Sequence, residues 1–406
     1  MVMLWMSEKR RLLISTDTFP PRVDGVSKFL QEAVPRLTKD FEITILAPDF
    51  GPSGSPLESM ESVRVVKFRT FRKSWGELRL ARPSVSAVFR EVRRADIIFV
   101  QSIATLGILV VIAARILGRR VAAYTHVIEW QLVVEHLGFN QRFVRTFMEN
   151  FIRLVAILTY RQCSLILTPS REIADIFSNY GVNVRKEIIP LGIDTERFSP
   201  PNDKRAAKQE LSINPDSIVI GYCGRLAKEK DLGTLNRAFN YLKKRYNNII
   251  LLIVGDGLPE IRSMFKDRDG VIFVGMRNDP VPFYRAMDIF VMPSLTETSS
   301  LATMEAMSCG VAVIATRVGN ISDYLRNYET GLFFRKRNSF DLMRRIETLI
   351  KRPELRQRLG LRARQEISER FSIDASIARI SEKLSGLASA GSNAGSKING
   401  TSAKKN

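Results

Sequence analysis

At 406 residues, with 45% hydrophobic and 26% charged side chains, the chain has the composition of a soluble globular protein long enough for two α/β domains. Its 62 Lys and Arg against 42 Asp and Glu leave a net charge of +20, which predicts attraction to phosphate-bearing substrates, an acidic membrane surface or nucleic acid. Cys163, Cys223 and Cys309 lie far apart, which argues against a disulfide framework and fits a reducing compartment. The start, MVMLWMSEKRR, is too short in apolar residues for a secretory signal, and the apolar run Ile103 to Ala114 is too short to span a bilayer.

Taken in order, Arg11 to Ser15 reads as a first strand, followed by the loop TDTFPPRVDG and a helix from Val26 to about Leu37. Phe41 to Ala47 and Val63 to Phe68 read as strands around a loop at 50–57, and Ser84 to Arg94 as a helix. Ile97 to Val100, Val121 to Thr125 and Leu165 to Leu167 are further strands between helical stretches. This strand–helix alternation is the doubly wound pattern. It pauses where IIPLGIDTERFSPPND and a charged segment suit a linker. It resumes with strands at Ile218 to Cys223, Ile249 to Val254, Val271 to Val274, Ile289 to Met292 and Val311 to Ala315. Arg362 to Leu387 is helix-like with a break near Phe371-Ser372, and the Ser-, Gly- and Asn-rich end reads as disordered. The expected division is two Rossmann-like domains (1–194 and 217–371), a linker (195–216), a C-terminal helix (372–387) packing back toward the first domain, and a tail (388–406).

The most informative stretch is Asp288 to Gly319, a strand–helix–strand unit carrying two carboxylates. Glu297 falls in the loop beyond the carboxyl end of a strand, where open α/β sheets bind ligands. Glu305 falls in an otherwise uncharged helix among Leu301, Ala302, Met304, Ala306 and Met307, so it needs a partner. At GYCGRLAKEK a strand ends at Gly224, with Arg225 and Lys230 following. Glycine admits a ligand to the backbone and Arg grips phosphate in bidentate fashion, although Lys228 and Glu229 equally suit a solvated cluster. Gly25 opens a helix whose amino end could face an anion, with backbone N–H groups approaching it. His126 follows a strand end, whereas His136 reads as structural. LLIVGDG lacks the third glycine of a dinucleotide fingerprint, which disfavours a nicotinamide or flavin enzyme. Asp267-Arg268-Asp269 sits in a charged turn and reads as solvated, so no metal site is expected.

In combination, Glu297 and Glu305, GRLAKEK, DTFPPRVDGV, YTH, LTPS, PLGIDTERF and VGDG resemble the family-4 retaining glycosyltransferases, from about Leu12 to Leu384. The resemblance implies a GT-B fold, in which two Rossmann-like domains with parallel sheets face an interdomain cleft. It also implies a nucleotide-diphosphate sugar, GDP- or UDP-hexose, as donor, with no cofactor required. By the same resemblance Arg225 and Lys230 would neutralise the diphosphate. Glu305 would meet the ribose hydroxyls and Glu297 those of the transferred sugar. His126 would lie near the reaction centre, and Gly25 near the diphosphate and acceptor. Gly224, Ser299, Ser300 and Leu301 are expected to line the donor. The family usually carries Phe-Gly or a similar pair where Ser299-Ser300 stand, and Gly-Gly where Asp24-Gly25 and Gly319-Asn320 stand. Ser at a helix start can cap it and offer a hydroxyl to phosphate.

Residues 64–94 hold ten basic side chains against two acidic ones, interleaved with Phe68, Phe71 and Trp75. This mixture suits docking on anionic lipid, so a cytoplasmic protein, peripheral on the inner membrane face, is expected. A second candidate is Arg142 to Arg153, where Phe143, Phe147 and Phe151 recur at helical spacing. No nucleic-acid module is recognisable, so nucleic acid is not an expected partner. A lipid-linked acceptor is favoured over a soluble sugar.

Overall fold

The computed structural model describes residues 9–398 apart from 23, 53, 72–78, 127, 131–141 and 298. His136, Arg72, Lys73 and Trp75 lie outside the described residues. The chain divides into two compact units, Met1–Pro190 with Ser376–Asn406, and Leu191–Ala375.

The first unit holds β1 (Arg10–Ser15), β2 (Phe41–Pro48), β3 (Val63–Phe68), β4 (Ile97–Val100), β5 (Val121–Tyr124), β6 (Leu165–Thr168) and β7 (Lys186–Ile188). They form a parallel sheet in the order β3-β2-β1-β4-β5-β6-β7. The second unit holds β8 (Ile218–Cys223), β9 (Ile249–Val254), β10 (Val271–Gly275), β11 (Ile289–Met292), β12 (Ala312–Thr316) and β13 (Leu332–Phe334). Its parallel order is β10-β9-β8-β11-β12-β13. Strands such as β4, β5, β11 and β12 are buried along their whole length because helices cover both faces, which is why they read as unbroken apolar runs. In each sheet the winding reverses beside the first strand, between β1 and β4 and between β8 and β11. Those two switch points are where the loops at the strands' carboxyl ends diverge and leave room for a ligand.

Two expectations, the linker and the tail, are corrected. Residues 195–216 are not a linker, because Phe198 and Ile213 enter the core of the second unit and a short helix, Lys204–Gln209, lies between them. One of the charges that suggested exposure is consumed internally: buried Lys208 pairs with Asp288 at 2.8 Å. The apolar run after Ile103 is a helix, Thr105–Ile116, with Leu106, Val110, Val111, Ala113 and Ala114 against the sheet. The tail expected from 388 instead continues the last helix, Ile373–Ile398, which has no proline to stop it and good helix formers in its alanines. Its predicted break is present: the preceding helix, Pro353–Arg370, ends at Phe371, and Ile193 brackets the break by pairing with Phe371 and Ile373. Further on, Arg379 donates to the Ile188 carbonyl at 2.9 Å and Arg10 to that of Ser385 at 2.7 Å.

Candidate functional site

In the second unit the loops after β8, β9 and β11 converge by backbone contact, and the loop after β12 joins them through side chains. Gly224, at φ +149°, donates its N–H to the Val254 carbonyl at 2.9 Å, and a Cβ there would meet the Tyr222 hydroxyl at 2.9 Å. Gly255 sits opposite, where a Cβ would fall 1.9 Å from the Gly224 carbonyl oxygen. Gly255 is therefore required by the close approach of the two loops, and Gly224 by its positive φ and the Tyr222 ring beside it, whatever else the site does. Leu226 N–H donates to the Asp256 carbonyl, and Leu295 N–H donates to the Glu229 carbonyl at 2.7 Å. The turn Lys228–Lys230 is thereby held against the start of the loop after β11.

That clamp brings two expected residues together. Lys230 Nζ lies 2.6 Å from Glu297 Oε1, with side chains only 17% and 9% exposed. The same carboxylate oxygen accepts the Ser294 hydroxyl at 2.7 Å, so Glu297 is fixed by two donors from two loops. Arg225 is directed elsewhere: its Nη2 meets Glu229 Oε1 at 2.7 Å, one helical turn along, and half the side chain is exposed. The solvated-cluster reading of this segment therefore holds in part for Arg225 and not for Lys230.

Glu305 is buried and has a partner that sequence reasoning did not identify. The Tyr284 hydroxyl donates to its Oε2 at 2.7 Å, and burial drives the Tyr284 pKa well above its ordinary value. A carboxylate offers about four acceptor positions, so one hydrogen bond leaves Glu305 with further accepting capacity. Ser300 occupies the N-cap position of the helix Leu301–Ser308 but does not cap it. Its backbone, at φ −87° and ψ 82°, is outside the extended conformation that turns a hydroxyl toward the helix amides, and its Oγ instead pairs with Thr303 Oγ1 at 2.7 Å. Ser299 Oγ accepts from Asn320 Nδ2 at 3.3 Å, joining two positions already singled out as departures from the resembled pattern. Asn320 is buried and its Oδ1 has no partner among the described residues.

In the first unit His126 is buried just beyond β5, tilted against the rings of Tyr124 and Phe29, with its Nε2 2.8 Å from Gln101 Oε1. Burial pushes its pKa down to about 3, so the imidazole is neutral at physiological pH. Gln101, just beyond β4, keeps an Nε2 with no partner among the described residues. Asp17, just beyond β1, reaches across the β1/β4 switch point. It accepts from the Leu106 and Ala104 N–H groups at 3.1 Å and from the Ser102 hydroxyl at 3.1 Å, capping the helix Thr105–Ile116. Gly25 opens the helix Gly25–Leu37, and a Cβ there would meet nothing within 4 Å. The anion expected at this helix end meets competition, because Asp24 already fills it: its carboxylate accepts the Ser27 N–H at 2.9 Å in a capping box and pairs with Arg22 at 3.2 Å.

The basic segment 64–94 is less free than its composition suggests. Phe68 is core, Lys67 pairs with Glu58 at 2.8 Å, and Arg64, Arg90 and Arg94 surround the buried Glu91. Burial would raise the Glu91 pKa, but Arg64 and Arg90 outweigh it and hold the carboxylate below its usual range. No described helix is long and apolar enough to cross a membrane.

Comparison with known proteins gives these loops a setting. The family described as Glycosyltransferase Family 4 matches residues 23–197, and that described as Glycosyl transferases group 1 matches residues 203–366. A Mycolicibacterium smegmatis protein named GDP-mannose-dependent alpha-(1-6)-phosphatidylinositol monomannoside mannosyltransferase is 27% identical, with 92% of this chain and 98% of that one covered. The alpha-monoglucosyldiacylglycerol synthase of Streptococcus pneumoniae is 26% identical over 75% of this chain and 70% of its own. Among solved structures, Anabaena HepE in complex with UDP-glucose superposes with a TM-score of 0.74 at 21% identity, covering 93% of this chain and 99% of that one. Two adjacent family matches, two parallel Rossmann-like sheets and a shared fold agree: the chain belongs to the family-4 glycosyltransferases of GT-B fold.

Proposed function

We propose that this glycosyltransferase moves a hexosyl unit, with retention, from a GDP- or UDP-hexose to a lipid-linked acceptor at the cytoplasmic membrane surface. The observation that carries the reading is the Lys230–Glu297 pair, steadied by Ser294, at the β8/β11 switch point. A cation and a carboxylate side by side there match a ligand with an anionic diphosphate at one end and sugar hydroxyls at the other. The named activities of the Mycolicibacterium and Streptococcus relatives support a lipid-linked acceptor, and the former supports GDP-mannose as donor.

In the transfer, the bond between the anomeric carbon and the diphosphate oxygen breaks, with its electron pair leaving on phosphate. The acceptor oxygen bonds to the anomeric carbon on the same face, and its proton passes to the departing phosphate. Lys230, Arg225, the backbone at Gly224 and the amino end of the helix Leu301–Ser308 would oppose the charge growing on the diphosphate. Ser299 and Ser300 flank that helix end, and Leu301 begins it. Glu297 would accept from the sugar hydroxyls and Glu305 from the ribose, through capacity that Tyr284 leaves unused. Gly25 would lie near the diphosphate and acceptor, and the neutral His126 near the reaction centre as a hydrogen-bonding group and not as a charged acid.

The test is transfer from GDP-mannose and UDP-glucose to phosphatidylinositol-linked, diacylglycerol and soluble sugar acceptors, with the product's anomeric configuration read by NMR. Wild-type enzyme should give the α-product with a lipid acceptor, and Glu297→Ala should abolish it. Equal rates for the two proteins would refute the site, and an inverted product would refute retention.

A further inference from the structure

The helix Arg142–Tyr160 has two apolar sides and only one of them is used. Ala156, Ile157 and Tyr160 enter the core beneath it. Phe143, Phe147, Phe151, Leu154 and Leu158, spaced by four, four, three and four residues, form a second stripe whose members are between 49% and 83% exposed. Single exposed hydrophobics need no explanation, but five large ones aligned on one helix are the mark of a surface that meets something. The helix Thr105–Ile116 packs beside it and adds Ile112 and Ile116, also exposed.

The charge carried by this helix and its neighbours selects the partner. The helices Val85–Arg94, Thr105–Ile116 and Arg142–Tyr160, neighbours in that order, carry seven arginines and two glutamates. One of those glutamates, Glu91, is buried beneath Arg64, Arg90 and Arg94. Arg115 and Arg145 are exposed on the two helices that bear the stripe. A protein partner or a second copy would need a matching acidic rim around an apolar groove, and a chain of net charge +20 is poorly suited to supply one to itself. A bilayer supplies both features at once, with hydrocarbon for the phenylalanines and anionic headgroups for the arginines.

We propose that the outer side of Arg142–Tyr160 is the docking surface of this protein for anionic lipid bilayers. The lipid contact expected at 64–94, where Phe68 is core but Phe71 is exposed, is thereby joined by a helix that carries three exposed phenylalanines. The assignment deepens the membrane part of the function proposed above and rests on that reading for its purpose, though the surface itself does not depend on the chemistry.

The experiment is vesicle flotation of the full chain with phosphatidylglycerol-containing and with pure phosphatidylcholine vesicles, at low and high salt. Wild type should float with the anionic vesicles only, and salt should weaken the association. Phe143→Ser/Phe147→Ser/Phe151→Ser should cut partitioning about tenfold or more while keeping its melting temperature and its stabilisation by GDP or UDP. Phe147→Trp should keep binding and show indole emission quenched by brominated acyl chains. The proposal is overturned if wild type ignores anionic vesicles, if the triple variant floats as well as wild type, or if brominated chains leave the emission added by Phe147→Trp unchanged. It is also overturned if the substitutions dissociate an oligomer without changing flotation, which would make a second copy the occupant. Loss of nucleotide stabilisation in wild type with flotation intact would sink the catalytic reading and leave the docking surface standing.

Discussion

Lys230 and Glu297 satisfy each other, so a substitution at either position acts twice. A part-buried pair broken from one side leaves an uncompensated charge, and Lys230→Met should cost about 3 kcal/mol by denaturant titration. The same change removes a cation proposed to face the leaving diphosphate, so kcat/KM should fall about a hundredfold or more. Lys230→Met/Glu297→Gln should regain much of the stability and none of the activity, which separates the two effects. His126 and Glu129 make a second residue-scale case. Burial lowers His126 from its ordinary 6.5 to about 3 and raises Glu129, which also accepts from the Tyr160 hydroxyl, from 4.5 to about 7. Below pH 6.5 the unfolded chain holds a proton on His126 that the folded one lacks, so falling pH costs stability. Above pH 4.5 the folded chain holds a proton on Glu129 that the unfolded one lacks, so rising pH costs stability until about 7. The two contributions oppose each other between pH 4.5 and 6.5. Relative to wild type, His126→Gln should lose thermal stability as pH rises from 5 to 7, and Glu129→Gln should gain it. Parallel curves for the three proteins would refute these assignments.

At the scale of elements, the site is made by loops that the sheets hold at their carboxyl edges, and a few backbone positions decide whether they can converge. Gly255→Ala would drive a methyl group into the Gly224 carbonyl at a φ of +132°, and should destabilise the protein by about 3 kcal/mol with loss of nucleotide binding. The melting temperature and the GDP or UDP shift are the readouts, and an unchanged protein would mean the two loops can separate freely. Asp17 does comparable service for the first sheet by capping the helix Thr105–Ile116 from across the switch point. Asp17→Ala should cost about 2 kcal/mol, measured by urea denaturation, because it frees amides at a buried helix start. These elements were legible to different degrees. β4, β5, β8, β9, β11 and β12 were readable as apolar runs because burial on both faces demands it. The helix Lys204–Gln209 was not, since its lysines signal exposure and Lys208 is instead neutralised by Asp288, far along the chain.

For the molecule as a whole, the division into two units assigns the donor prediction to one of them. A nucleotide that binds only the folded second unit should stabilise it by about 2.7 kcal/mol at a hundredfold excess over Kd. Differential scanning with GDP and with UDP should show such a shift for one of the two, and no shift for either would count against a nucleotide-sugar donor. The amino-acid sequence by itself determined the alternation, the two parallel sheets and the positions of Gly224, Lys230, Glu297 and Glu305, because these follow from local periodicity and from what must stand at a strand's carboxyl end. It did not determine partners. Lys230 meets Glu297 across 67 residues, Tyr284 answers Glu305, Asn320 reaches Ser299, and Arg64 turns inward to Glu91. Each of these pairings depends on which loops the strand order brings together, and in sequence alone a charge carries no mark of the one it will meet. The same reason separates the two surface candidates. Composition favoured 64–94, while only tertiary packing decided that Phe68 is core and Lys67 is engaged there, and that the phenylalanines of Arg142–Tyr160 are left facing outward.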